Sequence, residues 1–371
     1  MKVAVIGGGI VGATTAYYLQ NDQKDDVTIF DEKTGQATSA AAGIISPWLS
    51  QRRNQNWYQL ARLGAKFYPE MIESLNVPQE SDVYQQVGTI LFKNSEKLLD
   101  KLFTIATERK LTAPEIGEIA ILTPAEIQAK IPILQPELAG LFVSGGARVD
   151  GRQLIETLLT NFKDVGGTYC PEKVTSIKMK GDQWEVSWNG SSETFDKVVL
   201  AVGAWLPNLL KPLGFEVDVR GQKGQLIELQ LPIETKDWPV IMPQGESDII
   251  PFSQGKILVG ATHENDLDYD LTVDQKVVAE MLESLSSLAP NLLKATQVET
   301  RVGTRAYTSD FLPFFGEVQG LPSLFVASGL GSSGLTTGPI IGKTLASWLH
   351  NEDTELIASN YSPNTYIQKI N

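Results

Sequence analysis

"VAVIGGGIVGATTAYYL" (residues 3–19) decides the fold. An apolar run leads into three glycines, and a helix-forming stretch follows. Gly7, Gly9 and Gly12 make the pattern G-x-G-x-x-G. The pattern is weak by itself, so its surroundings carry the weight. "KVAVI" (2–6) reads as a buried strand, "IVGATTAYYLQ" (10–20) as a helix, and "DVTIFD" (26–31) as a second strand. Asp31 closes that strand, nineteen residues after Gly12. Strand, glycine loop, helix, strand and terminal acid are the complete context of a dinucleotide-binding βαβ unit. Gly7 permits the tight turn, Gly9 lets the backbone approach a diphosphate, and Gly12 lets the helix pack on the strand. The helix start at Ile10 and Val11 offers free N–H groups and partial positive charge to phosphates. Asp31 accepts hydrogen bonds from a ribose, with Glu32 as the second candidate.

FAD and NAD share this fingerprint, so other stretches must choose between them. "TSAAAGII" (38–45) is small and apolar just after the ribose-binding strand. Ala42, Gly43 and Ile44 can run close beneath a flat ring, while Thr38 and Ser39 can bond phosphate or ribityl oxygens. "VVLAVGAW" (198–205) reads as a strand whose turn, through Ala201, Gly203 and Trp205, approaches the same cofactor. A second glycine-rich loop, "SGLGSSGLTTGP" (328–339), follows the strand "SLFVASG" (323–329) and opens a helix running to about His350.

Composition narrows the function. The chain has 371 residues, which suggests two domains, and is 42% hydrophobic and 20% charged. Its 31 basic and 44 acidic side chains give a net charge of −13. That balance argues against nucleic acid, and Arg52-Arg53 is too small a basic patch to offset it. No apolar run is long enough for a transmembrane span. "MKVAVIGGG" leaves no room for a signal peptide. Cys170 is the single cysteine, so no internal disulfide can form. These features fit a cytoplasmic protein, with peripheral membrane association left open. One Cys and two distant histidines, His263 and His350, argue against a zinc site and against a Ser-His-Asp hydrolase.

Further elements are read from periodicity and turn signals. Helical spacing covers 56–75 and 95–110, and Thr123, Pro124 and Glu126 form a capping box. Asp150 caps a helix beginning "GRQLIETLLTNF", and Gly181-Asp182 joins a hairpin. "GQLIELQL", "DIIPF" and "KILVGAT" are strands without helices between them. Residues 272–289 read as a helix with Thr272 and Gln275 as its box. The nucleotide signatures lie at the start, middle and end of the chain. Two interleaved domains follow: 1–80, 146–220 and 300–371 bind the cofactor, and 81–145 with 221–299 bind substrate.

Taken together, these stretches resemble the D-amino-acid oxidase superfamily of flavoenzymes, in its glycine oxidase and sarcosine oxidase branch. "RGQKGQLIEL", "KILVGAT" and "RVGTRAYTSDFLPFFG" extend the match, which spans residues 3 to 339 in family order. The resemblance implies an α/β fold: a glutathione-reductase-type FAD domain, Rossmann-like, interleaved with an α+β substrate domain built on a large mixed sheet. It implies oxidative deamination of a D-amino acid, glycine or an N-substituted amino acid. A hydride passes from the substrate α-carbon to flavin N5, and water hydrolyses the resulting imine. Val174 matches a position whose backbone contacts adenine. Gly331, Ser332, Ser333, Gly334, Leu335 and Thr336 match the loop that faces the pyrimidine end of the flavin. Covalent members use a Cys or His linkage. With no Cys in the C-terminal half and no His near the first loop, non-covalent FAD is expected.

Arg305 matches the family's carboxylate-binding Arg, a role suited to its planar fork. Arg301, four residues earlier, reads as structural. The chain departs from the glycine oxidase pattern at Asp248, which replaces a Tyr, and at Ser332, which replaces a second Arg. Asp248 either lies at a solvated loop end or pairs with a substrate ammonium or a basic side chain. Arg52, Arg53, Trp48 and Trp57 are candidates for the entrance. An FAD dehydrogenase of glycerol phosphate or a polyol, and a non-catalytic flavin subunit, are the competing functions. Oxygen, a quinone or an acceptor protein would leave no motif here, and neither would homo-oligomerisation.

Overall fold

The computed structural model describes residues 1–245, 247–265 and 269–370. A six-stranded sheet is built from Lys2–Ile6, Asp26–Phe30, Thr168–Cys170, Lys197–Leu200, Phe314–Glu317 and Leu324–Ser328. Lys2–Ile6 lies inside it, parallel to Asp26–Phe30 on one side and Lys197–Leu200 on the other. The residues of that strand alternate between two cores, as strand geometry requires. Val3 and Val5 pack under the helices Ile10–Asn21, Gly151–Asp164 and Gly334–Leu349. Ala4 and Ile6 pack against the three-stranded sheet spanning Val174 to Phe195. Its hairpin turns at Gly181-Asp182, as the sequence predicts.

An eight-stranded mixed sheet forms the second body. Its order runs Thr296–Tyr307, Arg220–Gln230, Lys256–Gly260, Asp248–Pro251, Val240–Met242, Thr89–Phe92, Gly140–Val143, Ile119–Leu122. Every pairing is antiparallel except Val240–Met242 with Thr89–Phe92. One face packs on the helix Gln275–Glu283 through Val278 and Met281. The other face looks toward the glycine loops. The strand Thr296–Tyr307 crosses residue 300, where the sequence reading divides the domains, and belongs to this sheet over its whole length.

The helix expected over 272–289 is shorter, and its cap differs. It covers Gln275–Glu283, and Asp274 accepts from the backbone N–H groups of Lys276 and Val277. Thr272 is not the cap because its hydroxyl donates to Asp270. The Thr123 capping box forms as read, and Asp150 caps Gly151–Asp164.

Asp150 also begins a chain of charges that ties this helix to the large sheet. Its Oδ2 accepts from Lys256 Nζ at 2.6 Å. Lys256 neighbours Glu228, Arg301 bonds both Glu228 and Glu299, and Glu299 returns to Arg152 on the helix. Arg301 is thus structural. Burial acts to raise the Asp150 carboxyl, but Lys256, Arg301 and the Gln153 N–H together outweigh it and hold the group below its ordinary range. Its contribution to stability is therefore present above the unfolded pKa near ~3.9 and lost as pH falls through the lower folded value. Lys256→Met leaves Asp150 buried without its cation and is expected to destabilise the fold by about 3 kcal/mol at pH 7. Urea unfolding checks this. An unchanged midpoint would show that the helix N–H groups satisfy Asp150 without Lys256.

Candidate active site

The two glycine loops meet at a cavity of about 630 Å³ between the sheets. Every candidate cofactor or catalytic residue named from the sequence lines it, except Gly12 and Ser39. Gly12 packs against Gly7 instead: a Cβ there would lie 1.8 Å from the Gly7 carbonyl oxygen. Ser39 turns away and donates to Gln36.

At one end the strand Asp26–Phe30 delivers Asp31 to the cavity wall. Gln36 Nε2 donates to Asp31 at 2.7 Å and fixes the carboxylate. Burial raises the Asp31 carboxyl, partly offset by the Gly8 and Lys33 N–H groups. Glu32 pairs with Lys173 at 2.8 Å, and Val174 lines the same end. In the middle, Gly7 turns the chain at φ +99, with Ala201 pressed against it. The helix Ile10–Asn21 starts there without a cap from its own N-cap residue, and Thr38 Oγ1 accepts from Ile10 N at 3.1 Å.

At the other end, a single 3-10 turn, Gly331–Ser333, leads into the helix Gly334–Leu349. Its N-cap residue also supplies no side-chain bond, and its first residues, Gly334, Leu335 and Thr336, line the cavity. Several bonds hold this end in place. Tyr68 OH donates to the Leu335 carbonyl at 2.6 Å, Thr336 Oγ1 donates to that of Ile44 at 3.3 Å, and Trp57 Nε1 donates to Ser333 Oγ at 3.4 Å.

The large sheet closes the cavity over this second end. Arg305 extends from Thr296–Tyr307 and lays its guanidinium on Gly224, where any Cβ would lie 2.4 Å from Nη1. Nη1 donates to the Thr262 carbonyl at 2.6 Å. Asp248 is not at a solvated loop end: it opens the strand Asp248–Pro251 and lines the cavity opposite Gly260. Arg52 stacks 4.6 Å from the Trp57 ring centroid, and both line the cavity. Trp48 is buried and Arg53 exposed, and neither is among the residues that line the cavity. His263 and Met242 also line the cavity, though the sequence reading gave them no part in the site. His263 follows "KILVGAT" by one position after Thr262, and that proximity was the available signal.

The cavity suits a long dinucleotide. It offers a carboxylate at one end, a glycine-lined helix start in the middle, and a second uncapped helix start at the far end. Residues 2–348 match the family described as DAO, FAD dependent oxidoreductase. The chain belongs to this family. As an FAD-dependent oxidoreductase it has close structural counterparts. It is 42% identical over 97% of both chains to the uncharacterized oxidoreductase YurR of Bacillus subtilis. It is 27% identical to the glycine oxidase of Geobacillus kaustophilus, over 99% of this chain and 98% of the relative. The crystal structure of iminodiacetate oxidase (IdaA) from Chelativorans sp. BNC1 superposes with a TM-score of 0.93 at 34% identity, covering 98% of this chain and 99% of the other. Among the described residues of this oxidoreductase, no helix is long and apolar enough to cross a membrane, and no cluster of metal-ligating side chains occurs.

Proposed function

We propose that this chain oxidises the Cα–N bond of a small amino acid, with the substrate carboxylate on Arg305. The observation that carries the reading is Arg305 itself. A guanidinium lies on a glycine in the cavity wall, at the end where the second helix start opens. A bidentate fork in a partly dry site holds a carboxylate firmly and in one orientation. The 34% identity to an iminodiacetate oxidase and 27% identity to a glycine oxidase add support, since both names specify amino-acid substrates.

The bound FAD supplies the electron sink for a hydride. The residues of this chain do the rest. Gly7, Gly9, Ile10 and Val11 hold the diphosphate, and Asp31 holds the ribose. Gly331, Ser332, Ser333 and Gly334 present the helix start to the ring, with Leu335 and Thr336 beside them. A helix N-terminus there favours negative charge as it develops. Ala42, Gly43 and Ile44, with Ala201, Gly203 and Trp205, wall the cofactor. Arg305 orients the substrate, and the sheet above it excludes water.

Anaerobic mixing of the FAD-loaded protein with glycine, sarcosine, iminodiacetate and a set of D-amino acids tests the reading. At least one is expected to bleach the flavin, while glycerol 3-phosphate leaves it oxidised. Bleaching by glycerol 3-phosphate and by none of the amines would overturn it.

A further inference from the structure

Asp248 stands where a charge is least expected. It faces Gly260 across the strand pair, so both lie on the sheet face that closes the cavity. The neighbours on that face are apolar: Leu226, Ile250, Met242 and Ala261 pack into one cluster. Among the described cavity-lining residues, the other carboxylates are Asp31, Glu32 and Glu172. Those three gather near Val174, at the opposite end. Among the described residues no side chain or backbone group bonds the Asp248 carboxyl, and burial pushes it up to about 7. The Arg305 guanidinium is anchored on Thr262, two residues beyond Gly260 on the adjacent strand. Asp248 and Arg305 thus line the same region of the cavity, and an α-amino acid can present its nitrogen to one and its carboxylate to the other.

We propose that Asp248 receives the ammonium of the substrate and accepts its proton, so that the amine is neutral before the Cα–H bond breaks. The proposal rests on the amino-acid reading above. The substrate N–H bond breaks, the proton goes to Asp248 Oδ, and nitrogen keeps the electron pair. Bound FAD would supply the acceptor for the α-hydrogen as hydride, and that nitrogen pair would form the C=N bond. A base matched to neutral pH suits this role, because it narrows the gap to an ammonium. The substrate class is thus one that binds as a zwitterion.

Other charged or titratable groups line the same cavity from the neighbouring elements. Arg305 comes from Thr296–Tyr307, His263 from beyond Lys256–Gly260, and Arg52 from across the cavity; Met242 and Leu91 on the remaining strands are uncharged. Arg305 stays charged throughout the relevant range. His263 has a partner of its own. It also remains in an Asp248 variant, so its titration is separable.

Anaerobic flavin bleaching by sarcosine, glycine and iminodiacetate, followed from pH 5.5 to 10, is the test. In the wild-type holoenzyme the second-order rate is expected to rise about tenfold per pH unit up to about 7 and then level. In Asp248→Asn it is expected to fall about 100-fold at pH 8, and its rise to shift toward the amine's own pKa. Propionate, a carboxylate without an amine, is read separately through the flavin spectrum. It should bind Asp248→Asn at least as tightly as wild type. Equal bleaching by both proteins with the same pH profile would overturn this role and leave the amino-acid reading standing. Weakened propionate binding in step with bleaching would make Asp248 structural and also overturn it. If propionate binds but no amine bleaches the wild type, both readings fall.

Discussion

Arg305→Ala is expected to raise KM for an amino-acid substrate by about 100- to 1,000-fold. The magnitude follows from the environment. A carboxylate brought into this cavity loses water, and removing its charged partner leaves it desolvated and unpaired. Such truncations cost about 3–4 kcal/mol when the pair is largely shielded from solvent. Arg305→Lys should recover part of this loss, because the charge remains while the planar fork is gone. Flavin content should stay at wild-type level in both variants, since Arg305 extends from the opposite sheet to the diphosphate loop. Steady-state kinetics with the best amine of the bleaching panel, alongside flavin absorbance, makes the measurement. An unchanged KM would remove Arg305 from the substrate site.

The second large effect separates two glycines three residues apart. Gly12→Ala places a methyl 1.8 Å from the Gly7 carbonyl, so the first helix must move off its strand. Loss of about 3 kcal/mol is expected, together with loss of FAD. Gly9→Ala is different. Its methyl would meet just Thr38 Oγ1, at an ordinary 3.4 Å. The apoprotein should keep its melting temperature, while FAD affinity falls by about 100-fold because the diphosphate needs that space. Thermal melts of the apoproteins and flavin fluorescence titrations distinguish the two. Wild-type affinity in Gly9→Ala would show that the diphosphate does not approach at Gly9.

Most of the FAD-side architecture was legible in the sequence because its signals are local. A glycine loop between a strand and a helix is recognisable within thirty residues, and so is an acid at the end of the next strand. The large sheet was harder. Its edge strand "TQVETRVGTRAY" places Glu299, Arg301 and Arg305 among few apolar residues. Those charges are absorbed by Glu228, Arg152 and the Thr262 carbonyl, which come from distant parts of the chain. Asp248 was ambiguous for the same reason. Its place in the cavity wall follows from pairing with Gly260, and a single sequence does not display registers. The helix cap near 272 is ambiguous in sequence because Thr and Asp are both good caps. Asp270, by engaging Thr272, leaves the position to Asp274.

The first and last helices pack with almost no gap. A Cβ at Gly338 would sit 2.5 Å from Ile10 Cγ2, and one at Gly342 would sit 2.7 Å from Thr14 Cβ. The two helices whose starts open into the cavity are therefore clamped to each other, like the fixed jaws of a caliper. Neither jaw can shift without prising that contact open. The span between them is a length standard set by the fold, and it matches the part of a flavin from ring to first phosphate. A flavin with no adenosine would still bridge the jaws but leave Asp31, beyond the first jaw at the end of strand Asp26–Phe30, without a ribose, so preference for FAD over a shorter flavin falls to that outer end.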